Sequence, residues 1–402
     1  MLLDVPQRRT HARVDLEALS SNLEVLAERA GGAGVILPVK ADAYGHGIIP
    51  VARHAVAEGV AMLAVANAQE LALLRLAGVT HPTLVLEDLF ADEIPAVVID
   101  SETRFNVSSL EYARILSDAA QAAGVEAVVH VNVDTGMGRM GLLSDDPVGA
   151  VRRIAALPGL RVEGIFTHFP DADESDLGFA EGQLARFHDI VSQLEDSGIG
   201  LRYRHIANSA AIAVFGEHAG FDLVRPGVSA YGMFPSPVVA EKMKNVLPLR
   251  PCMSLVSAIA KLSTYDRNWT VGYGRTYTVS PGSKIAVVPI GYGDGYRRAL
   301  SNQGEALVHG MRVPVCGRVS MDMITLDLTG LPEEPNVGDE VVLLGQQLWP
   351  AHESGAANAA PEGGAQPARH ATVTAEEMAT KVGTISYEIT CGLTPRVPRV
   401  YV

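Results

Sequence analysis

Cysteine is scarce in this chain, with three residues in 402 (Cys252, Cys316 and Cys391). So sparse and odd a set argues against a disulfide framework and suits reduced thiols in a cytoplasmic protein. Basic residues are outnumbered, 32 Lys and Arg against 46 Asp and Glu, for a net charge of −14. That balance argues against nucleic acid or an anionic membrane as a partner, since both require a basic face. No apolar run reaches membrane-spanning length, and the opening MLLDVPQRRT lacks the apolar core of a signal peptide. A soluble, cytoplasmic protein is expected. No internal repeat is evident beyond a loose strand-helix rhythm.

What is present is apolar content of 48%, enough in 402 residues for one large core and a second, smaller one. The rhythm divides near residue 245. Before it, short apolar runs alternate with helical patterns, and parallel strands buried on both faces read as such runs. Strands are expected at Val35 to Val39, Met62 to Ala66, Thr83 to Leu86, Arg104 to Val107, Ala127 to Asp134, Val162 to Thr167, Tyr203 to Ile206 and Leu223 to Arg225. Helices are expected between them, among others at Leu16 to Ala30, Leu110 to Ala123 and Ala180 to Ser197. Eight such units suit a (β/α)8 barrel over residues 8–245. From Leu249 onward the pattern becomes alternating strands with Gly and Asn turns. It predicts an all-β domain over residues 246–402, joined by residues 1–7. Residues 346–372, rich in Ala, Gly and Pro, are expected to form a mobile surface insertion between two strands.

One stretch places chemistry on this frame. In VKADAYGHG (Val39 to Gly47), Lys40 follows a strand and precedes a helix beginning at Ile48. It therefore falls at the carboxyl end of a βα unit, where such folds keep their catalytic groups. A lysine against an apolar wall loses solvation, which favours the neutral, nucleophilic amine. Tyr44, Gly45 and Gly47 can bring a phenol and close backbone to a phosphate. Further on, Gly136 to Gly141 matches the GxGxxG pattern of dinucleotide sites. There the glycines run straight into a helix. Here Leu142 and Leu143 intervene, and Ser144-Asp145-Asp146-Pro147 reads as the helix start. A dinucleotide site is thus disfavoured, and the loop instead presents Arg139.

The nonapeptide resembles the pyridoxal-phosphate lysine signature of the alanine racemase family, and the resemblance runs almost end to end. In order come DTGMGRMG (Asp134 to Gly141), FTHF (Phe166 to Phe169), ANSAA (Ala207 to Ala211) and VRPGVSAYG (Val224 to Gly232). VGYGRTY (Val271 to Tyr277), IGYGDGY (Ile290 to Tyr296), GRVSMD (Gly317 to Asp322) and ISYEI (Ile385 to Ile389) follow.

The resemblance implies interconversion of L- and D-alanine through an aldimine of pyridoxal 5'-phosphate, covalent on Lys40. Inversion at a planar α-carbon requires a base on each face. Lys40 is implied for one and Tyr273 for the other, the tyrosine coming from the second subunit of a homodimer with shared sites. Arg225 would face the pyridine nitrogen, and a cation that stays protonated weakens the ring as an electron sink. His168 would link that arginine towards the tyrosine, with Asn208 in the same network. Tyr44, Ser209, Gly227, Val228 and Tyr387 would form the phosphate cradle. Arg139 would meet the cofactor phenolic oxygen and the substrate carboxylate. Met321 would offer its backbone amide to that carboxylate, while Asp322 and Tyr292 would line the mouth. The implied role is supply of D-alanine for peptidoglycan.

One position departs from the family. Two residues before Asp-Thr-Gly, where a carbamylated lysine often stands, this chain has Asn132. Either another anion such as chloride fills the space beside Arg139, or hydrogen bonds alone hold the arginine. Two rivals are disfavoured by residues. A decarboxylase on the same fold requires a cysteine where GRVSMD has Ser320, and a non-catalytic cofactor carrier would not need the second domain with Tyr273. A racemase of broader range is the nearest alternative, and Tyr292 and Tyr387, both bulky, favour alanine over serine or basic amino acids.

Overall fold

A computed structural model describes residues 7–349 and 369–402. These fall into two compact units, one from Leu16 to Arg250 and one formed by Met1–Asp15 with Pro251–Val402. The first strand, β1 (His11–Val14), belongs to the latter unit, because it pairs with two strands from the far end of the chain. The barrel unit accordingly starts at Leu16 and not at residue 8. A four-residue strand without a parallel neighbour in the barrel has its backbone groups satisfied elsewhere.

The Leu16–Arg250 unit is a closed parallel barrel of eight strands. They are β2 (Gly34–Pro38), β3 (Met62–Val65), β4 (Thr83–Val85), β5 (Thr103–Val107), β6 (Ala127–Asn132), β7 (Leu160–Phe166), β8 (Tyr203–Asn208) and β9 (Leu223–Arg225). Each lies within two residues of its expected place, since runs such as MLAV and AVVHVN are wholly buried. Ile36, Met62, Ala64, Leu84 and Leu223 pack together as part of the core. Closure follows from β2 pairing with both β3 and β9. Three of the intervening helices start on side-chain caps that spare their first amides. Asn67 accepts from Glu70, Ser109 from Tyr112, and Asp146 from Gly149, the last with Pro147 at the first helical position. The helix after the glycine loop therefore begins at Pro147, four residues beyond Leu143, which removes the dinucleotide reading.

The other unit is β-rich. Its largest sheet runs β16-β15-β18-β10-β1-β20, with β19 on β18. Here β10 is Met253–Ala258, β15 Glu305–Val308, β16 Met311–Pro314, β18 Glu340–Trp349, β19 Arg369–Val373 and β20 Arg399–Tyr401. A second sheet joins β11 (Lys261–Thr264), β14 (Lys284–Val288) and β17 (Ile324–Asp327), and a ribbon joins β12 (Trp269–Val271) to β13 (Tyr277–Val279). The expected all-β domain is corrected in one respect: among the described residues it also carries the α-helices Ala375–Val382 and Ser386–Cys391. The first is capped by Thr374 and ended by a left-handed Gly383. The expected insertion is narrower than residues 346–372. Gln346 to Trp349 pair antiparallel with Arg369 to Thr372, and residues 350–368 lie outside the described residues. Cys252 and Cys316 are buried, Cys391 is exposed, and all three are unbridged. Among the described residues, no helix is long and apolar enough to cross a membrane.

Candidate active site

Lys40 follows β2 after Val39 and opens a turn of unusual hand. Ala41, Asp42, Ala43 and Tyr44 all have φ between 52° and 54°, a left-handed conformation that non-glycine residues avoid. Neighbours hold them there. Ala43 N donates to Val39 O (2.8 Å), Ala41 N to Glu70 Oε1 (2.7 Å) and Ile48 N to Asp42 Oδ1 (2.8 Å). The turn sends the Tyr44 ring against Tyr231, at 5.0 Å between centroids, and Tyr231 itself donates to Pro38 O. The Tyr44 hydroxyl then reaches Gly227 so closely that a Cβ there would lie 2.6 Å from it. Ser209 Oγ accepts from the Ser229 amide at 3.1 Å. A phenol, a hydroxyl and the backbone from Gly227 to Ser229 thus converge where β8 and β9 end. Donors of this kind around a glycine suit a phosphate group, so the residues present fit pyridoxal phosphate.

Cations gather on the same face. Arg225, at the end of β9, is only 5% exposed. Its Nη2 donates to Thr167 O (2.7 Å) and to His168 Nδ1 (3.3 Å), and its Nη1 to His205 Nδ1 (2.6 Å). Burial, and then the positive charge of Arg139, lower Arg225 to about 9. Burial also lowers His168 to about 3, reinforced by Arg225, Arg139 and Lys40. An imidazole so placed is neutral at physiological pH. Four of the expected residues therefore act on one another electrostatically although 185 positions separate Lys40 from Arg225.

Asn208 is placed differently from expectation. Its Nδ2 donates to Phe169 O (3.1 Å) and its Oδ1 accepts from Ala211 N (3.0 Å), capping the helix Ser209–Phe215. It pairs with Arg225 in strand register but takes its side-chain bonds elsewhere. Asn132 donates from Nδ2 to Met140 O, and Leu142 N returns to Asn132 O at 2.6 Å. Asp134 accepts from the amides of Gly136 and Gly138, both at 2.8 Å. The loop carrying Arg139 is thus fastened to β6 by hydrogen bonds from Asn132 and Leu142.

The β-rich unit assembles the remaining candidates. Tyr292 N donates to Ser320 O (3.0 Å) and Gly293 N to Met321 O (2.8 Å). A Cβ at Gly291 would meet those same carbonyls at 2.3 and 2.4 Å, so glycine is what lets the two loops touch. Buried Asp294 accepts from Arg8 and from Gly291 N, and Asp322 pairs with Arg396 at 2.7 Å. Tyr292, Met321 and Asp322 consequently sit together at the surface. Tyr273 is 70% exposed on a loop whose Gly272 and Gly274 have φ of 73° and 70° and pack on Arg318. Tyr387 lies in the helix Ser386–Cys391, partly buried.

Family patterns match both units. "Alanine racemase, N-terminal domain" covers residues 14–235, and "Alanine racemase, C-terminal domain" covers 252–365 and 363–401. The chain belongs to the alanine racemase family. The two matches of the C-terminal pattern overlap at residues 363–365. Among full-length relatives, Alanine racemase 2 of Caldanaerobacter subterraneus subsp. tengcongensis is 38% identical over 98% of this chain and 95% of its own. Alanine racemase of Desulforamulus reducens is 39% identical over 97% and 98%. The solved alanine racemase of Clostridium difficile 630 superposes with a TM-score of 0.85 at 32% identity, over 99% of this chain and 97% of that one. Membership of the alanine racemase family makes the chain a pyridoxal-phosphate-dependent amino-acid racemase.

Three residues behind the site escaped the sequence reading: His130, Glu163 and His205. All are buried and linked in series to Arg225. The signal was present as polar interruptions of apolar strands, in VVHVN, RVEGIF and YRHIAN.

Proposed function

We propose that this protein is an alanine racemase that interconverts L- and D-alanine with pyridoxal phosphate held on Lys40, using Lys40 and Tyr273 as two bases. The observation that carries it is the single barrel face on which Lys40, Arg139, His168 and Arg225 surround a cradle of Tyr44, Ser209 and the backbone around Gly227. When bound, the cofactor supplies the electron-withdrawing ring that acidifies the substrate α-proton.

The chain's own residues do the rest. Tyr44, Ser209, Gly227, Val228 and Tyr387 hold the phosphate, and Arg225 presents N–H groups to the ring nitrogen. Because a guanidinium does not surrender its proton near neutral pH, that nitrogen stays unprotonated and the electron sink stays shallow. Holding that nitrogen unprotonated would favour racemisation over transamination. Arg139, steadied through Asn132, Met140 and Leu142, orients the substrate carboxylate, with the Met321 amide as its second donor. Lys40 Nζ takes or gives the proton on one face and Tyr273 Oη on the other. Tyr273 reaches the barrel of a second copy, so the working unit is a homodimer with shared sites, and exposure of Tyr273, Met321 and Tyr292 supports that reading. Tyr292, Asp322 and Tyr387 narrow the mouth, which favours alanine over larger amino acids. The product feeds peptidoglycan synthesis in the cytoplasm.

The test is borohydride reduction of the purified yellow protein followed by peptide mapping. A reduced pyridoxyl group is expected on Lys40. Its appearance on any other lysine, or on none, overturns the assignment.

A further inference from the structure

A chain of buried polar groups runs from Arg225 away from the cofactor face into the barrel. Arg225 Nη1 meets His205 Nδ1 at 2.6 Å, His205 Nε2 meets His130 Nδ1 at 2.8 Å, and His130 Nε2 meets Glu163 Oε2 at 3.3 Å. Both histidines are fully buried and Glu163 is 2% exposed. Their hydrogens have only one consistent order. A guanidinium donates and cannot accept, so His205 Nδ1 is the acceptor and its proton sits on Nε2. His130 Nδ1 must then accept, which places its proton on Nε2, directed at the carboxylate. Every hydrogen in the series points from the arginine to the glutamate.

We infer that Glu163 is a positioning residue for Arg225, acting through His130 and His205 as a relay of fixed tautomers. Glu163 is equipped to remain an anion. Arg104 Nε lies 3.1 Å from Oε2, and Arg161 Nη1 and Arg202 Nη1 lie 3.4 and 3.7 Å from Oε1. Burial opposes its charge, but the bonds from His130 and Arg104 outweigh it and hold the carboxyl at about 2. Burial, with Arg225 adjacent, keeps His205 neutral, and burial does the same for His130 despite the pull of Glu163.

The benefit lies at the other end. A carboxylate on Arg225 would put a negative charge beside the ring, whereas a neutral imidazole takes one Nη1 hydrogen and adds none; the other Nη hydrogens go to His205 O, Thr167 O, Ile206 O and His168 Nδ1. The relay thus gives a buried cation a counter-charge without placing an anion beside the cofactor. Two further features serve it. Phe166 stacks on His205 at 4.8 Å, fixing the ring plane. Gly164 clears a space: a Cβ there would sit 2.8 Å from His130 Nδ1, the atom that receives the His205 proton.

The inference rests on Arg225 facing the ring nitrogen, but its first readout lies on the histidines themselves. In ¹⁵N-histidine-labelled holoenzyme, and again after cofactor removal, His205 and His130 are expected neutral with the proton on Nε2. Either ring doubly protonated, or carrying its proton on Nδ1, overturns the relay whatever Lys40 carries. Glu163→Gln keeps an acceptor oxygen but removes the charge. Both tautomers should persist, while racemisation kcat falls about tenfold with little change in KM. Glu163→Leu combined with Arg104→Leu removes the ion pair together, sparing an unpaired buried charge. The His130 tautomer should then mix and kcat fall about a hundredfold, in the direction seen when a triad histidine loses its fixed tautomer. Full kcat in the folded double variant overturns the proposal, as does a glutamine variant no better than the leucine one. Should the double variant fail to fold, Gly164→Ala breaks the contact at His130 without touching any ion pair. Unchanged tautomers together with unchanged kcat in that variant also overturn it.

Discussion

Single atoms decide much of what this chain can bind. At Gly227 a methyl group would stand 2.6 Å from the Tyr44 hydroxyl. Gly227→Ala should force the phenol aside at a cost of about 1–3 kcal/mol, as in other overpacked sites. Pyridoxal-phosphate affinity, titrated into apoprotein by fluorescence, should fall by about tenfold or more, and an unchanged affinity removes the cradle assignment. Asn132 acts at similar range. Asn132→Ala leaves Met140 O without its side-chain donor and frees the loop bearing Arg139, so KM for alanine should rise several-fold (roughly 1 kcal/mol for one hydrogen bond). Steady-state kinetics with unaltered KM would show that Arg139 is held by something else. Tyr273→Phe keeps the ring and removes the ionisable group, so interconversion should fall about a hundredfold or more. In deuterated water this variant should still exchange the α-proton of D-alanine through Lys40, and exchange that of L-alanine hardly at all. Equal exchange from both enantiomers would withdraw the role given to Tyr273.

At the scale of an element, the left-handed turn after β2 stands out. Four successive non-glycine residues at φ of 52–54° each carry a penalty of about 1 kcal/mol. Glu70 offsets part of it, accepting from Ala41 N with one oxygen and from Ala66 N (2.8 Å) with the other. Ala41 is exposed, so its substitutions report on backbone strain with little packing change. Ala41→Gly should raise stability by about 0.5 kcal/mol, because glycine adopts this region without penalty but loses more chain entropy. Ala41→Val should lower it by more than about 1 kcal/mol. Denaturant midpoints ordered otherwise would contradict the conformation.

For the whole molecule, the proposed dimer follows from assigning Lys40 to the barrel unit and Tyr273 to the β-rich one. Dilution to monomer should abolish racemisation while leaving cofactor on the barrel, and a fully active monomer would refute shared sites. Buried imidazoles also set the acid limit. His168 has its ordinary value of 6.5 in the unfolded chain and about 3 in the folded one. Between those values the unfolded chain binds the proton and the native protein does not. The contribution of His168 is therefore complete above pH 6.5 and is lost as pH falls towards 3. His168→Asn should flatten the fall in unfolding midpoint across that window, and an identical slope would assign the acid sensitivity to other groups.

How much was legible from sequence follows the range of the forces involved. The eight barrel strands could be read because burial on both faces demands unbroken apolar runs, and the helices because caps and 3.6-residue spacing are local. Lys40, Arg139, Arg225 and Tyr273 could be named as candidates because each lies in a distinctive short motif. The left-handed turn could not, since Ala, Asp and Tyr carry no local preference for it and only Glu70, Val39 and Asp42 impose it. Nor could β1 be assigned: its partners lie 245 and 387 residues away, His11 with Val256 and Ala12 with Arg399. The same holds for the line from Arg225 through His205 and His130 to Glu163. Each of those residues, read alone in its strand, is a polar interruption of an apolar run. Burial forces each to find a partner, and only closure of the barrel determines which partner that is.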